Sequence, residues 1–342
     1  MPDRPATHRW KVAASAALAV GLLGYFLARA PLDDVVAAIA RLDAGWLAAA
    51  VAVALVSYVL RSYRWGLILS TVGPAPGREL FGCTAAGFAS STILPARAGE
   101  LVRPLLLSAR TGLPAAGTLY SIVTERLLDL ATVLVLFAAG VWVSRDRIAP
   151  QALAGLERAA LLAGVAVLAL ATLVVTLLLL RERVVARVCR LVPARFADRT
   201  RRFLDHLLDG LAALASVRRA AILAVWSLLV WLPACWQVEL LARAFGLSFG
   251  LTPTFVMMAV MVTGLAVPTP GGVGGFHAAT QFALAGLFAV DLPTATAFAL
   301  VHHAICFFPI TIVGLAYLAW TGVGIGAASR LDAAVAKPPG QG

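Results

Sequence analysis

Apolar residues occupy this chain in blocks rather than in stripes. Residues 12–28, 46–60, 117–143, 159–180, 221–242 and 294–320 are nearly all apolar or small. A helix of about 20 such residues crosses the roughly 30 Å hydrocarbon core of a bilayer. These six blocks are therefore expected to be full spans, with Trp46 as an interfacial anchor on the second. Two further pairs of apolar segments do not fit that pattern. Residues 80–94 would reach only about 22 Å as a helix, and Gly82, Gly87, Ser90, Ser91 and Thr92 dilute them further. Residues 101–109 contain Arg103 and Pro104. Residues 255–267 and 276–290 form the second short pair, broken by a glycine-rich turn. Each pair is expected to dip into the membrane and return to the same side.

The charged residues fix the orientation. Arg4, Arg9 and Lys11 precede the first block, and Arg61, Arg64 and Arg78 follow the second. Asp33, Asp34 and Asp43 lie between them. Positive residues collect on the cytoplasmic side, so the N-terminus is expected inside and the acidic loop outside. Ala28-Arg29-Ala30 resembles a signal-peptide cleavage site, but block 12–28 is long for that role and is read as an uncleaved span. Residues 181–219 hold ten Arg against four acids, which puts this segment inside. Its second half, with Phe203, Leu204, Leu207, Leu208, Leu211 and Leu214 at helical spacing, reads as an interfacial amphipathic helix. Arg330 and Lys337 put the C-terminus inside as well. Parity then requires each short pair to cross an even number of times, and the two pairs to enter from opposite faces. That is an inverted-topology repeat, with a binding site expected near the midplane. Repeat one covers about 79–143 and repeat two about 252–320. Both lie in a single integral membrane domain, 1–330, and 331–342 form a disordered tail.

Composition agrees. Of 342 residues 61% are hydrophobic and 13% charged, against about 25% charged in a soluble domain. The net charge of +11 would permit nucleic-acid binding, but the basic residues sit in short loops beside spans, so no nucleic-acid partner is expected. Cys83, Cys189, Cys235 and Cys306 are scattered and read as packing residues. No metal or cofactor motif is present, and no nucleophile signature.

Candidate chemistry lies where hydrocarbon tolerates it least. Arg97, Glu100 and Arg103 cluster at the tip and second arm of the first pair. Arginine suits bidentate contact with phosphate, and an internal ion pair is the rival reading. Glu125, Arg126 and Asp129 lie inside block 117–143, one turn apart, and should face the bundle interior. Gly271, Gly272 and Gly275 at the second tip permit backbone conformations that expose N–H groups to an anion; tight packing is the alternative. His277, Gln281, His302 and His303 fall near the matching place in the second half and are candidates for the far wall of one cavity. Hydrogen-bonded packing is the plainer reading for the histidines.

The strings ILPARAGELVRPLLL (93–107) with TERLLDL (124–130), then AVPTPGGVGGFHAA (266–279), resemble the lysylphosphatidylglycerol synthase transmembrane region, a flippase-like membrane family. The resemblance covers about 12–322. It implies a bacterial inner-membrane protein that moves lipids between leaflets, without the soluble synthase domain and hence without aminoacyl transfer. Carried over, it marks Pro95, Arg97, Gly99, Glu100, Arg103, Glu125, Arg126, Asp129, Gly271, Gly272 and Gly275. Many relatives have an acid where this chain has His277, so the head group need not be shared. The function expected is a lipid translocator for a phospholipid, glycolipid, aminoacyl-lipid or polyprenyl-linked lipid, with membrane lipids as partners and no enzymatic role of its own. The alternatives are an intramembrane lipid-modifying transferase, or a non-catalytic subunit that anchors a lipid-modifying enzyme or glycosyltransferase through 181–219.

Overall fold

The computed structural model describes residues 17–24, 26–28, 31–93, 99–267 and 269–322. Every regular element among them is helical. Residues 17–24 (α1) and 26–28 are what is described of the first expected span; 12–16 and 25 lie outside, as do Pro95, Arg97 and the tail 331–342. Among the described residues, five helices are long and apolar enough to cross a membrane: α3 (Ala44–Leu69), α6 (Ala115–Val143), α7 (Pro150–Leu179), α10 (Val217–Ala244) and α13 (Leu292–Trp320). The chain is a multi-pass membrane protein. Its outermost span is α7, where only Ala160 and Ala163 are buried and Leu161, Leu162, Leu168 and Leu179 stand exposed. Apolar surface of that extent belongs against lipid.

Several boundaries differ from those the sequence predicts. The second span does not stop at residue 60. α3 runs through Arg61 and Arg64 to Leu69, because acids on α6 neutralise both arginines. The acidic loop contains a short helix, α2 (Leu32–Ala40), with Val35 buried against Ala297 of α13. The 181–219 segment is two helices, α8 (Arg181–Leu191) and α9 (Ala194–Gly210), closed by a 3-10 turn at Leu211–Leu214. They do not simply lie on the membrane surface. Val185, Leu208 and Leu211 pack against Val123 and Leu127 of α6 and Leu177 of α7.

The short segments form tightly apposed helix pairs. α4 (Gly77–Ile93) is followed by α5 (Gly99–Thr111), and α11 (Leu251–Gly264) by α12 (Gly275–Gln281) with a π-helical continuation over Phe282–Leu287. Glycines set the approach within each pair. A Cβ on Gly99 would lie 2.1 Å from the carbonyl oxygen of Gly87, and one on Gly87 would lie 2.7 Å from Arg103 Cβ. In the other pair, a Cβ on Gly264 would meet the Gly275 oxygen at 2.4 Å and Ala279 Cβ at 2.7 Å. In both cases a glycine on the first arm faces a glycine that opens the second arm, and the residue four positions later. Each first arm also rests on a long helix of the other half. Gly314 of α13 abuts Ala85 of α4, and Gly140 of α6 abuts Thr252 and Phe255 of α11.

Polar groups secure the ends of these elements. Asp43 caps α3 by accepting from the backbone N–H groups of Gly45 and Trp46. Buried Glu239 accepts from the N–H groups of Phe249 and Gly250 at 3.0 and 2.9 Å and from Arg243 Nε at 2.9 Å, which holds the turn into α11. Glu79 joins α4, α5 and α13. It accepts from Tyr317 Oη at 2.5 Å, from Arg110 Nη2 at 3.1 Å and from Arg110 Nε.

Because Gly99 and Gly264 each face backbone, Gly99→Ala and Gly264→Ala should each destabilise the protein by about 1–3 kcal/mol through overpacking. Gly77→Ala, which meets nothing within 4 Å, should not. Melting of the purified protein in detergent checks this, and equal Tm values for all three would refute the close apposition.

Candidate functional site

α6 carries two carboxylates one turn apart, and two other helices, α3 and α5, bring arginines to them. Glu125 and Asp129 share a face of α6 because four residues make just over one helical turn. Arg61 and Arg64, three apart on α3, share a face for the same reason. Arg64 Nη2 donates to Asp129 Oδ1 at 2.7 Å, and Arg61 Nη1 donates to Oδ2 at 3.2 Å. Trp231 Nε1 of α10 donates to the same Oδ1 at 2.9 Å. Arg103 of α5 places one Nη1 on both oxygens of Glu125, at 3.0 and 2.9 Å. Arg126 lies 3.4 Å from Glu125 Oε1 and 3.6 Å from Asp129 Oδ2. Aromatic faces complete the setting: the Arg103 guanidinium sits 3.9 Å over Trp65, which donates to Ser121 Oγ, and Arg61 lies 5.6 Å from the Trp231 ring. Both are cation–π geometries.

Burial is uneven across this network. Arg64 and Glu125 have no exposed side-chain surface. Arg126 keeps 43% of its side chain exposed. Three donors, Arg64 Nε, Arg103 Nε and Arg103 Nη2, are buried with no hydrogen-bond partner. Buried donors nearly always find one, so Arg103 retains unused capacity.

A cavity of about 320 Å³ opens on this network. Arg61, Arg103, Arg126, Asp129 and Glu100 line its ionic side, Gly87 and Gly99 its first hairpin, and Thr269, Gly271 and Gly272 the turn of the second. Trp231, Ile122, Leu130, Val262, Leu265 and Phe307 supply apolar wall. Leu130, on that apolar wall, is half exposed.

The glycine turn has a distinct backbone. Gly271, Gly272 and Gly274 have φ of 60°, 69° and 87°, a region L-residues rarely enter. His303 Nε2 hydrogen-bonds the Gly271 carbonyl at 2.8 Å, and Gly274 N–H donates to His277 Nδ1 at 3.3 Å. Phe307, stacked on His303 with centroids 4.3 Å apart, carries this support to the cavity wall.

Of the residues singled out from sequence, Glu100, Arg103, Arg126, Asp129, Gly271 and Gly272 meet at the cavity. Glu125 lies behind, bound to Arg103. His277, Gln281, His302, His303 and Gly275 are not on its lining. His277 and His303 brace the turn, Gln281 donates to Thr296, and His302 is enclosed by Phe276 and Phe298 with neither ring nitrogen bonded. Arg97 lies outside the described residues. Sequence reasoning missed Arg61, Arg64 and Trp231. The two arginines read as topology signals, although their i, i+3 spacing puts them on one helix face, as the i, i+4 spacing of Glu125 and Asp129 does. Among the described residues no group of His, Cys, Asp or Glu is placed to hold a metal.

Asp129→Asn should leave buried Arg64 without its nearest, hydrogen-bonded counter-charge, with only Glu125 at 3.7 Å, and destabilise the protein by up to about 3 kcal/mol. The double variant Asp129→Asn with Arg64→Met should regain much of that, since a buried pair replaced by neutral groups is often tolerated. Chemical denaturation followed by tryptophan fluorescence measures both. Additive losses would refute the pairing.

The chain is similar to glycosyltransferase AglD of Haloferax volcanii, 28% identical over 341 residues, which takes in 90% of this chain and 54% of that protein. It therefore spans about half the length of that curated relative. The family model described as the lysylphosphatidylglycerol synthase TM region matches residues 12–314. A match over that much of the sequence, on a bundle whose ionic core is built from TERLLD and GELVR, shows that the chain belongs to the lysylphosphatidylglycerol synthase transmembrane-region family.

Proposed function

We propose that this protein moves a membrane lipid between leaflets, with the head group passing through the cavity while the chains stay in the bilayer. The observation that carries this is one cavity with an ionic side built by Arg61, Arg103, Arg126 and Asp129, and an apolar wall that includes half-exposed Leu130. A head group is polar and its chains are not, and a chamber with both kinds of wall serves both. The six-span topology with two re-entrant hairpins entering from opposite faces belongs to the same proposal. The matched contacts Gly87–Gly99–Arg103 and Gly264–Gly275–Ala279 support it, as does the exchange of α4 onto α13 and α11 onto α6. The start of α5 at Gly99 and Glu100 and the turn at Gly271 and Gly272 then line one chamber, where irregular backbone is tolerated because it lines a polar space. We place both termini in the cytoplasm of a bacterial inner membrane, from the arginine distribution.

A second reading is a lipid-modifying transferase. The name of the Haloferax volcanii relative favours it, although this chain corresponds to only about half of that protein. Glu125 and Asp129, the carboxylates of α6, are each bound by arginines, which disfavours proton abstraction by either.

Purified protein in vesicles with head-labelled lipids should speed leaflet exchange over empty vesicles. Arg126→Gln should slow it roughly tenfold, as expected for one charge-assisted contact of about 1.5 kcal/mol. No gain for any phospholipid, glycolipid or polyprenyl probe would refute translocation. Formation of a modified lipid by the purified chain would establish the transferase.

A further inference from the structure

We infer that the head group taken by this cavity is a lipid phosphate of net negative charge, and that cationic, amine-bearing head groups are refused; this rests on the translocator reading. The carboxylates decide it. An ammonium group needs an acceptor that is not already engaged. Glu125 is fully buried behind the cavity, with both oxygens on Arg103. Asp129 has one oxygen on Arg64 and Trp231 and the other on Arg61. Among the described residues, Glu100 and Asp129 are the acids on the lining, and Glu100 is not free either, since it faces the charge of Arg126. The second hairpin and its long helix, 251–320, contain a single acid, Asp291, and it caps α13 through Thr294 N–H. That half brings no carboxylate to the chamber.

The donors point the other way. Around the cavity four guanidinium groups stand against three carboxylates, counting Glu100. Arg126 has the most exposed side chain of the four-arginine network, and Arg103 holds buried donors in reserve. A phosphate monoester presents at least three oxygens to such a set, and arginine's fork matches phosphate geometry. A net positive, partly desolvated chamber strengthens attraction for an anion and repels a cation by the same amount. The apolar wall through Leu130, Val262 and Leu265 distinguishes a lipid phosphate from the free ion, because only the lipid has chains to lay against it.

The test titrates purified protein in detergent, following quenching of intrinsic tryptophan fluorescence, since Trp231 lines the site. Three probes are compared: short-chain phosphatidic acid, a cationic lipid of the same chains with an amine in place of the phosphate, and sodium phosphate. The inference expects phosphatidic acid to bind at least tenfold tighter than the cationic lipid. It also expects tighter binding than for sodium phosphate, loss of the preference in Arg126→Gln, and its partial retention in Arg126→Lys. Equal or tighter binding of the cationic lipid overturns it. So does binding of sodium phosphate as tight as that of the lipid, which would make this a free-anion site, and so does no binding of any probe. Transport is read separately in vesicles. If cationic and anionic lipids move equally fast, the head-group inference falls and translocation stands. If phosphatidic acid binds selectively yet nothing is moved, translocation falls and the anion site stands.

Discussion

A guanidinium with no exposed surface survives inside a membrane bundle only if a carboxylate neutralises it. Arg64 is such a group, and the rest of the bundle is arranged around that requirement. Its partner Asp129 belongs to α6, its second acceptor Ser227 to α10, and Arg61, one turn away on α3, shares the same carboxylate. Arg103 then draws in α5 through Glu125. Four helices from separate parts of the sequence converge on two acids. Sliding any one along another would strand a charge, so the network fixes relative register more firmly than apolar packing between lipid-like side chains can.

The same convergence explains why the cavity is where it is. The ionic network stands along one side of the space between α5, α6 and the second hairpin, and that space takes on the charge of its walls. The glycine turn at 271–272 supplies the opposite face without side chains, and His303 and Phe307 set its position from behind. The histidines thus shape the chamber without standing on its lining.

Much of this was legible in the sequence, though unevenly. The long spans 117–143 and 294–320 were plain from hydropathy, and the acids of TERLLDL were conspicuous because hydrocarbon excludes unpaired charge. The short pairs were visible as helices too brief to cross. What the sequence could not disclose was pairing across distance. Arg61 and Arg64 look the same whether they mark the cytoplasmic end of a span or enter the bundle, and only the position of Asp129 decides between them. Glu79, Arg110 and Tyr317, brought together from three helices, were illegible for the same reason. His302 and His303 were adjacent in sequence, yet one backs the turn and the other is enclosed by phenylalanines, because neighbouring residues on a helix point about 100° apart.

The exchange of short arms between the halves has a consequence for how the protein is made. α4 rests its small residues on α13, whose Gly314 and Tyr317 lie more than two hundred residues further along the chain. During synthesis, therefore, the first hairpin must wait in the membrane or at the translocon with that face unmatched until the last helix emerges.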